Sequence, residues 1–376
     1  MMSKVMLFGL GEVGTHILEF LVRDPKCPEL IICDVNEEVS QKRINNALIG
    51  AAIFRLYPKV TFKKVDLTNV DTTSLLISEE KPDVVINCAV LQTWHVIRQL
   101  PKDLYAKLSS ASLGAWLPCQ LGLSYNLMLA VKQSGVQAHV INTSLSCMTN
   151  PVLAKAGLAP TIGIGNVELI EPAVRVKVSR DLNVPIDNVK VYLVAHHVWW
   201  VYPREAGYKK GPYYVKILVN DTDVTKQFDT DQLLWDAIKL YPPDTEFTTV
   251  SASSTIKNMY ALLNPTPIFT HSPAPNGLPG GYPILLSKNG AELALPEGIT
   301  EKEAIRINEE CNKIDGIERI EDDGTVVYAD YSHQILKEML NFDHKSFKAE
   351  DSLKIAFELM AKYKEFAANV QLSYQS

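Results

Sequence analysis

Val5-Met6-Leu7-Phe8-Gly9-Leu10-Gly11-Glu12-Val13-Gly14 decides the fold of this 376-residue chain. The apolar run reads as a buried strand, it stops at Gly-x-Gly-x-x-Gly, and a helical pattern follows. A second apolar run, Leu30-Ile31-Ile32-Cys33, ends at Asp34, twenty positions beyond Gly14. Strand, glycine turn, helix, strand and acid in this order make a dinucleotide-binding βαβ unit. Gly9 permits the tight turn, Gly11 lets the backbone approach a pyrophosphate, and Gly14 allows close packing of helix on strand. Glu12 and Val13 open the helix, whose free N–H groups and dipole face the phosphates. Asp34 accepts from the ribose hydroxyls and repels a 2′-phosphate, so the expected cofactor is NAD.

Working outward, strand-like and helical runs alternate to about residue 150. They comprise a helix near Glu38–Ile53, a strand Val60–Val65, a helix near Thr72–Glu80, a helix near Leu121–Ser134 and a strand Ala138–Asn142. The strand Asp83–Ala89 passes under the cofactor, with Cys88 and Ala89 short enough to leave it room. The expected fold class is α/β: an N-terminal Rossmann doubly wound parallel sheet over residues 1–150, then an α+β domain over 151–318. A charged C-terminal extension, 319–376, is expected to pack on the second domain. In the second half, Val167–Leu182 and Glu301–Ile314 read as helices and Val189–Val201 as a strand. Pro265–Pro283, rich in Pro and Gly, reads as a surface segment leading into the strand Tyr282–Leu286.

Composition narrows the function classes. Hydrophobic residues make up 47% and net charge is −6, so a packed core is expected and nucleic acid is not an expected partner. The six cysteines include no Cys-x-x-Cys pair, which fits reduced thiols. No apolar stretch is long enough to span a bilayer, and the N-terminus enters a strand without a signal-peptide pattern. The expected location is cytoplasmic, and the expected partner is a small-molecule substrate.

Three downstream pieces resemble the lactate and malate dehydrogenases: Asn150-Pro151-Val152, Gly163-Ile164-Gly165-Asn166 with its following helix, and Val191–Ala195 ending at His196-His197. Gly281–Gly290 resembles the late hairpin of that family, and the likeness runs over roughly residues 3–316. It implies that a strand ends at Asn150-Pro151-Val152, that His197 is the catalytic acid/base, and that Glu168 stands for the acid that orients it. It also implies a homodimer or homotetramer. Where the family keeps a carboxylate-binding Arg, this chain has Glu171, so a small 2-hydroxy acid is not the expected substrate. The segment Leu91–Pro118, the counterpart of a mobile loop, has Arg98 as its single arginine.

Ala195-His196-His197-Val198-Trp199-Trp200 also resembles the NAD-dependent glycosidases of glycoside hydrolase family four, in which a histidine and a cysteine hold a divalent metal. The cysteine of their glycine turn is absent from Gly163-Ile164-Gly165. Cys147 could replace it only with a different geometry, and no metal ligand is assigned.

The reading is an NAD-dependent oxidoreductase acting on a secondary alcohol or its ketone, with His197 exchanging the proton. The alternatives are a glycosidase working by transient oxidation and elimination, and an NAD-binding regulatory protein without catalysis. Asn142, at a strand end, is expected to bond the substrate or ribose. Trp94, Arg98, Asn166, Glu171, His196 and Arg204 are the candidate substrate residues. By strand alternation only one of His196 and His197 is expected to reach the pocket. Trp199, Trp200, Tyr202, Tyr208, Tyr213 and Tyr214 add aromatic surface suited to a sugar or another bulky ligand.

Overall fold

A computed structural model describes residues 3–201, 211–242 and 247–375. Arg204, Tyr202 and Tyr208 lie outside the described residues. Six strands, β1 (Lys4–Phe8), β2 (Glu29–Asp34), β3 (Val60–Lys64), β4 (Val84–Asn87), β5 (His139–Asn142) and β6 (Ile162–Gly163), form one parallel sheet in the order β3-β2-β1-β4-β5-β6. This is the doubly wound order that places ligands at the carboxyl edge of the sheet, where strand order reverses beside β1. Val5, Met6, Leu7 and Phe8 are all buried because helices cover both faces. Those helices include α1 (Glu12–Leu21), α2 (Glu37–Ile53), α3 (Val70–Glu80), α4 (Lys102–Ser109), α5 (Leu117–Ser134) and α6 (Ser146–Lys155). Asn36 and Asn69 cap α2 and α3 through their side-chain oxygens.

The sheet takes its last strand from Ile162–Gly163, beyond the boundary expected at 150. Asn150-Pro151-Val152 does not end a strand. It lies inside α6, and the strand stops eight residues earlier, at Asn142. Pro151 lies inside that short helix, and the Cys147 carbonyl to which it cannot donate accepts from Gly280 N at 3.2 Å instead.

The second half continues with α7 (Val167–Leu182), β7 (Val189–Val194), α8 (Val198–Val201), β8 (Tyr214–Val219), β9 (Thr222–Asp223), α9 (Thr230–Ile238) and α10 (Thr248–Leu263). Then come β10 (Ile268–Pro273), β11 (Gly281–Ser287), β12 (Gly290–Leu293) and α11 (Glu301–Ile314). Two antiparallel sheets, β7-β8-β9 and β10-β11-β12, flank α7 and α10, and Ala195 bridges to Gly281 of β11. The expected strand to Val201 ends at Val194; the chain turns through His196-His197 into α8. The Pro-rich segment is likewise not all surface, since β10 runs through it and His271, Ser272 and Pro273 are buried.

The last part contains β13 (Ile317–Ile320), β14 (Val326–Tyr328), α12 (Asp330–Leu340), β15 (Ser346–Phe347) and α13 (Ser352–Gln375). It packs on the first half, not on the second domain as expected. Helix α13 lies along α5, with Leu353 against Gly122. Tyr363 meets Trp116 edge-on at 5.6 Å and donates to the Val96 carbonyl at 2.9 Å. Ser332 Oγ donates to the Ala111 carbonyl at 2.8 Å. The 91–118 segment is therefore a folded run of short helices tied down by this extension. Among the described residues, no helix is long and apolar enough to cross a membrane.

Candidate functional site

The glycine turn is built as its sequence requires. At Gly9, with φ +88°, a Cβ would lie 2.6 Å from the Ala89 nitrogen, and at Gly14 it would lie 2.1 Å from the Gly9 carbonyl. At Gly11 a Cβ would meet nothing within 4 Å. The first and third glycines thus serve close packing, while the second faces open space at the start of α1. Helix α1 has no side-chain cap, so its N-terminal donors are available to an anion. Asp34 accepts from Leu10 N at 2.7 Å and from Asn36 N at 2.8 Å, which fixes its carboxylate beside the turn. Arg43 donates to the Leu10 carbonyl, and Thr248 of α10 donates to Glu12 at 2.9 Å. Val13 packs beside the core under the sheet. Cys88 faces Gly14, and burial pushes its thiol up to about 12, so it is a spacer here. The cradle fits a dinucleotide pyrophosphate.

From the turn, contacts run along the carboxyl edge of the sheet. Ala89 receives Ser144 Oγ on its carbonyl at 3.1 Å, and three residues on, Cys147 occupies the second position of α6. Cys147 Sγ lies 2.6 Å from His197 Nδ1, and Asp315 Oδ2 lies 2.9 Å from His197 Nε2. All three residues are buried, Asp315 completely. Asp315 follows α11, and its backbone carbonyl accepts from Gly114 N while its carboxylate accepts from Leu113 N. Burial opposes a charge on His197, but the Cys147 sulfur and the Asp315 carboxylate outweigh it and carry the imidazole up to about 10. His197 is thus held between the Cys147 sulfur and the Asp315 carboxylate, both of which favour its protonated form.

His196 is also buried, with its ring centroid 4.1 Å from that of His197. The alternation argument does not apply, because the two residues follow β7 instead of continuing it. Burial first, and then the neighbouring imidazolium, hold His196 well below its usual range. Its Nδ1 accepts from Val198 N.

Glu168 does not orient His197. It accepts from Lys257, Ser254 and Asn258, the last at 2.9 Å, on the face of α7 turned toward α10. Glu171 lies near it, 3.4 Å from Arg175, and burial raises its carboxyl to about 7. Both acids line a cavity of about 380 Å³ shared with Arg175, Lys190, Lys257 and His271, away from His197. Burial, then Lys257 and Arg175, lower His271 to about 3, and its Nε2 accepts from Leu193 N.

Asn142 has both ends of its amide occupied: Nδ2 donates to Thr149 and Asn150, and Oδ1 accepts from Asn87 and Ser144. It braces the β4, β5 and α6 ends and is not free for substrate. Asn166 differs. Its φ is +51° and neither amide atom has a hydrogen-bond partner, although both are buried. It stands two residues after Ile164, whose carbonyl accepts from Ser146, the neighbour of Cys147. Such an orphaned amide suits a polar ligand. Arg98 is exposed and stacks over Trp94 at 5.4 Å. Trp199 is buried edge-on against Tyr213 and serves the core.

Cys147, His196 and His197 bring their ligand atoms within 4.8 Å of one another. Sulfur and imidazole are zinc donors, yet donors around a tetrahedral zinc stand roughly 3.6 Å apart given the usual Zn–S and Zn–N lengths. Cys147 and His197 are closer than that, in hydrogen-bond contact, so the arrangement does not fit an ion between them. Sequence reasoning discounted Cys147 and passed over Asp315, which no local pattern marks.

The family model described as the saccharopine dehydrogenase NADP binding domain matches residues 5–95. No curated protein sequence matches the chain. Among solved structures, the chain is similar to lactate dehydrogenase from Eimeria maxima, at 14% identity and a TM-score of 0.56, covering 83% of this chain and 94% of that one. It is also similar to malate dehydrogenase from Cryptosporidium parvum, at 16% identity and a TM-score of 0.54, covering 84% and 97%. Malate dehydrogenase from Plasmodium falciparum gives 14% identity and a TM-score of 0.55, covering 83% and 96%. At these identities the likeness establishes the fold: a six-stranded Rossmann-like sheet followed by the antiparallel half that lactate and malate dehydrogenases share.

Proposed function

We propose that this chain is an NAD-dependent oxidoreductase that interconverts a carbonyl compound and its alcohol, with His197 as the proton donor and acceptor. The observation that carries the reading is the run of contacts from Gly9 through Ala89, Ser144 and Cys147 to His197 along one sheet edge. Gly11, the α1 N-terminus and Asp34 hold the dinucleotide, whose nicotinamide supplies or accepts a hydride. His197 gives its Nδ1 proton to the carbonyl oxygen, which takes the place of the Cys147 sulfur beside the ring, as that oxygen becomes an alcohol. Asp315 fixes the ring and, after Cys147, favours its protonated form. Asn166 offers its free amide to a polar substituent of the substrate. With Glu171 turned toward Arg175 and no arginine at His197 among the described residues, the substrate is a sugar or another polar carbonyl compound, not a 2-oxo acid.

The fixed carboxylate of Asp34 favours NAD over NADP, although the matching family model carries NADP in its description. The metal-dependent glycosidase reading gains no support from the Cys147–His197 separation. Ile49 and Ile53 on α2, with Phe54 and Tyr57 after it, are 66–82% exposed, an apolar face that suits a homo-oligomer.

The test is NADH and NADPH oxidation over a panel of aldoses, ketoses and simple aldehydes and ketones. Turnover with NADH that H197A loses about 100-fold or more supports the reading. Dinucleotide binding without any turnover, unchanged in H197A, defeats it and favours a regulatory binder.

A further inference from the structure

The Cys147 sulfur has no part in the proton exchange proposed above, yet it is the nearest group to the His197 ring. Three features set it apart from the other cysteines. It contacts an imidazole at 2.6 Å, that imidazole is pinned at 2.9 Å by a carboxylate, and the sulfur sits at the start of the ten-residue helix α6. Cys27, Cys33, Cys88, Cys119 and Cys311 have burial as the main influence on their thiols, which it pushes up. A sulfur in contact with an imidazole at the N-terminal turn of a helix has the geometry of a nucleophile beside its base. Nucleophile, base and acid stand in sequence, the sulfur hydrogen-bonded to one ring nitrogen and the carboxylate ion-paired with the other, an arrangement defined by geometry and not by chain order. Gly163 gives this cluster room, because a Cβ there would lie 2.1 Å from Ser146 Oγ, the residue before Cys147.

We propose that Cys147, His197 and Asp315 form a nucleophile–base–acid array, and that Cys147 Sγ bonds covalently to the carbonyl carbon of an aldehyde substrate, which is oxidised to a thioester. The sulfur attacks the aldehyde carbon, the C=O π pair moves to oxygen, and that oxygen takes the proton of His197. The thiohemiacetal carbon then loses a hydride to an oxidised nicotinamide dinucleotide while His197 takes the hydroxyl proton back, leaving the acyl thioester. Water attacks the thioester, the C–S bond breaks with its electron pair on sulfur, and a carboxylate leaves. The sum is aldehyde, oxidised dinucleotide and water giving carboxylate, reduced dinucleotide and two protons. The oxidation rests on the reading of the previous subsection; formation of an acyl–sulfur bond does not.

The experiment therefore has two arms. In the first, the full-length protein is mixed with 4-nitrophenyl acetate and no dinucleotide. The expected result is a nitrophenolate burst of about one equivalent per chain, with an acetyl group on Cys147 in the peptide mass map. C147S loses the thioester adduct, while H197A and D315N slow the burst about 100-fold or more. In the second arm, NAD and propanal or benzaldehyde give NADH with the parent protein and not with C147A.

No acetylation of the folded parent protein overturns the proposal, as does a burst that persists in C147A or maps to another cysteine. One equivalent of zinc in the protein as isolated, with Cys147 protected until a chelator removes it, also overturns it. Failure of the first arm alongside His197-dependent carbonyl reduction by NADH leaves the oxidoreductase reading standing. Acetylation of Cys147 without any dinucleotide binding removes that reading and keeps the array as a transferase or hydrolase site.

Discussion

The nucleotide cradle and the His197 cluster are made in opposite ways. The cradle comes from one short stretch, Gly9 to Asp34, closed by Ala89 of the neighbouring strand. The cluster draws Cys147 from the start of α6, His197 from the turn after β7 and Asp315 from the end of α11. A local motif carries its own geometry, because turn, helix and strand follow one another with little freedom. A cluster assembled from distant elements exists only after the tertiary fold has formed. Its members also answer to whichever neighbour the fold supplies. Glu168 shows the consequence, since it occupies the position where an orienting acid was expected and instead pairs with Lys257 of α10.

The largest effect should separate the two carboxylates. Replacing Asp315 with Asn leaves the shape of the site and removes the carboxylate charge that, beside Cys147, favours protonated His197. NADH-dependent turnover of the best carbonyl compound should fall about 10²–10⁴-fold in kcat. Glu168→Gln should change kcat by no more than a few fold, while lowering the unfolding midpoint in urea. If E168Q costs as much turnover as D315N, the assignment of the orienting acid is wrong.

Within the cradle, two glycines of one motif should behave differently. Gly14→Ala drives a methyl group into the Gly9 carbonyl, a backbone atom that cannot yield without moving the turn. The protein should lose about 3 kcal/mol or more of stability, as overpacking at backbone does at the upper end of its range. Gly11→Ala meets open space and should fold normally, yet bind NADH about tenfold or more weakly because the added carbon occupies the pyrophosphate approach. Calorimetric titration with NADH and urea melts read the two outcomes. Equal stability of the two variants would contradict the division of labour within the turn.

The same contrast explains what could be read from the chain alone. The parallel sheet was legible because Val5–Phe8, Leu30–Cys33 and Val84–Asn87 are apolar runs separated by helical patterns, and α7 and α11 were legible as the helical stretches that follow the Gly163–Asn166 and Lys288–Gly290 turns. The change from β7 to α8 was hidden because Val198, Trp199 and Trp200 prolong an apolar run that suits a strand as well as a buried helix. Asn142 looked like a strand-end donor, and no local pattern signals that Asn87, Thr149 and Asn150 converge on it. Asp315 was invisible for the same reason, with only Gly316 after it to mark a helix end. The packing of the extension on α5 depends on which exposed apolar face the first half leaves open, and no spacing rule encodes that.

Lys257→Met tests whether the displaced carboxylate is structural. It strips Glu168 of its cation but leaves the Ser254 and Asn258 hydrogen bonds. Removing one partner of a buried pair is costly, though the Lys257 side chain is 40% exposed and water screens part of the pair. A loss of about 1–3 kcal/mol in urea unfolding is expected, with kcat close to the parent value. Unchanged stability would mean that Glu168 is adequately solvated or hydrogen-bonded without its lysine, and would leave it free to reach another partner.

The smallest effect concerns Glu171 and has a definite sign. Burial raises its carboxyl from the ordinary 4.5 to about 7 in the folded chain, with Arg175 and Lys257 pulling the other way. The folded state therefore holds this proton more tightly than the unfolded state does. Folding carries no penalty from Glu171 below about pH 4.5, and the penalty grows as pH rises through 7, because an ionised carboxylate must then be kept in a poorly hydrated place. Glu171→Gln should accordingly be more stable than the parent at pH 8, by about 2 kcal/mol after allowance for its weaker pairing with Arg175. The advantage should shrink steadily toward pH 5, measured as the difference between paired urea melts across that range. A difference that does not vary with pH, or one that favours the parent at pH 8, would show that Arg175 already neutralises the carboxylate. Glu171 would then be a charged member of the cavity wall, and the cavity beside α7 would have to be regarded as electrostatically distinct from the buried cluster around His197.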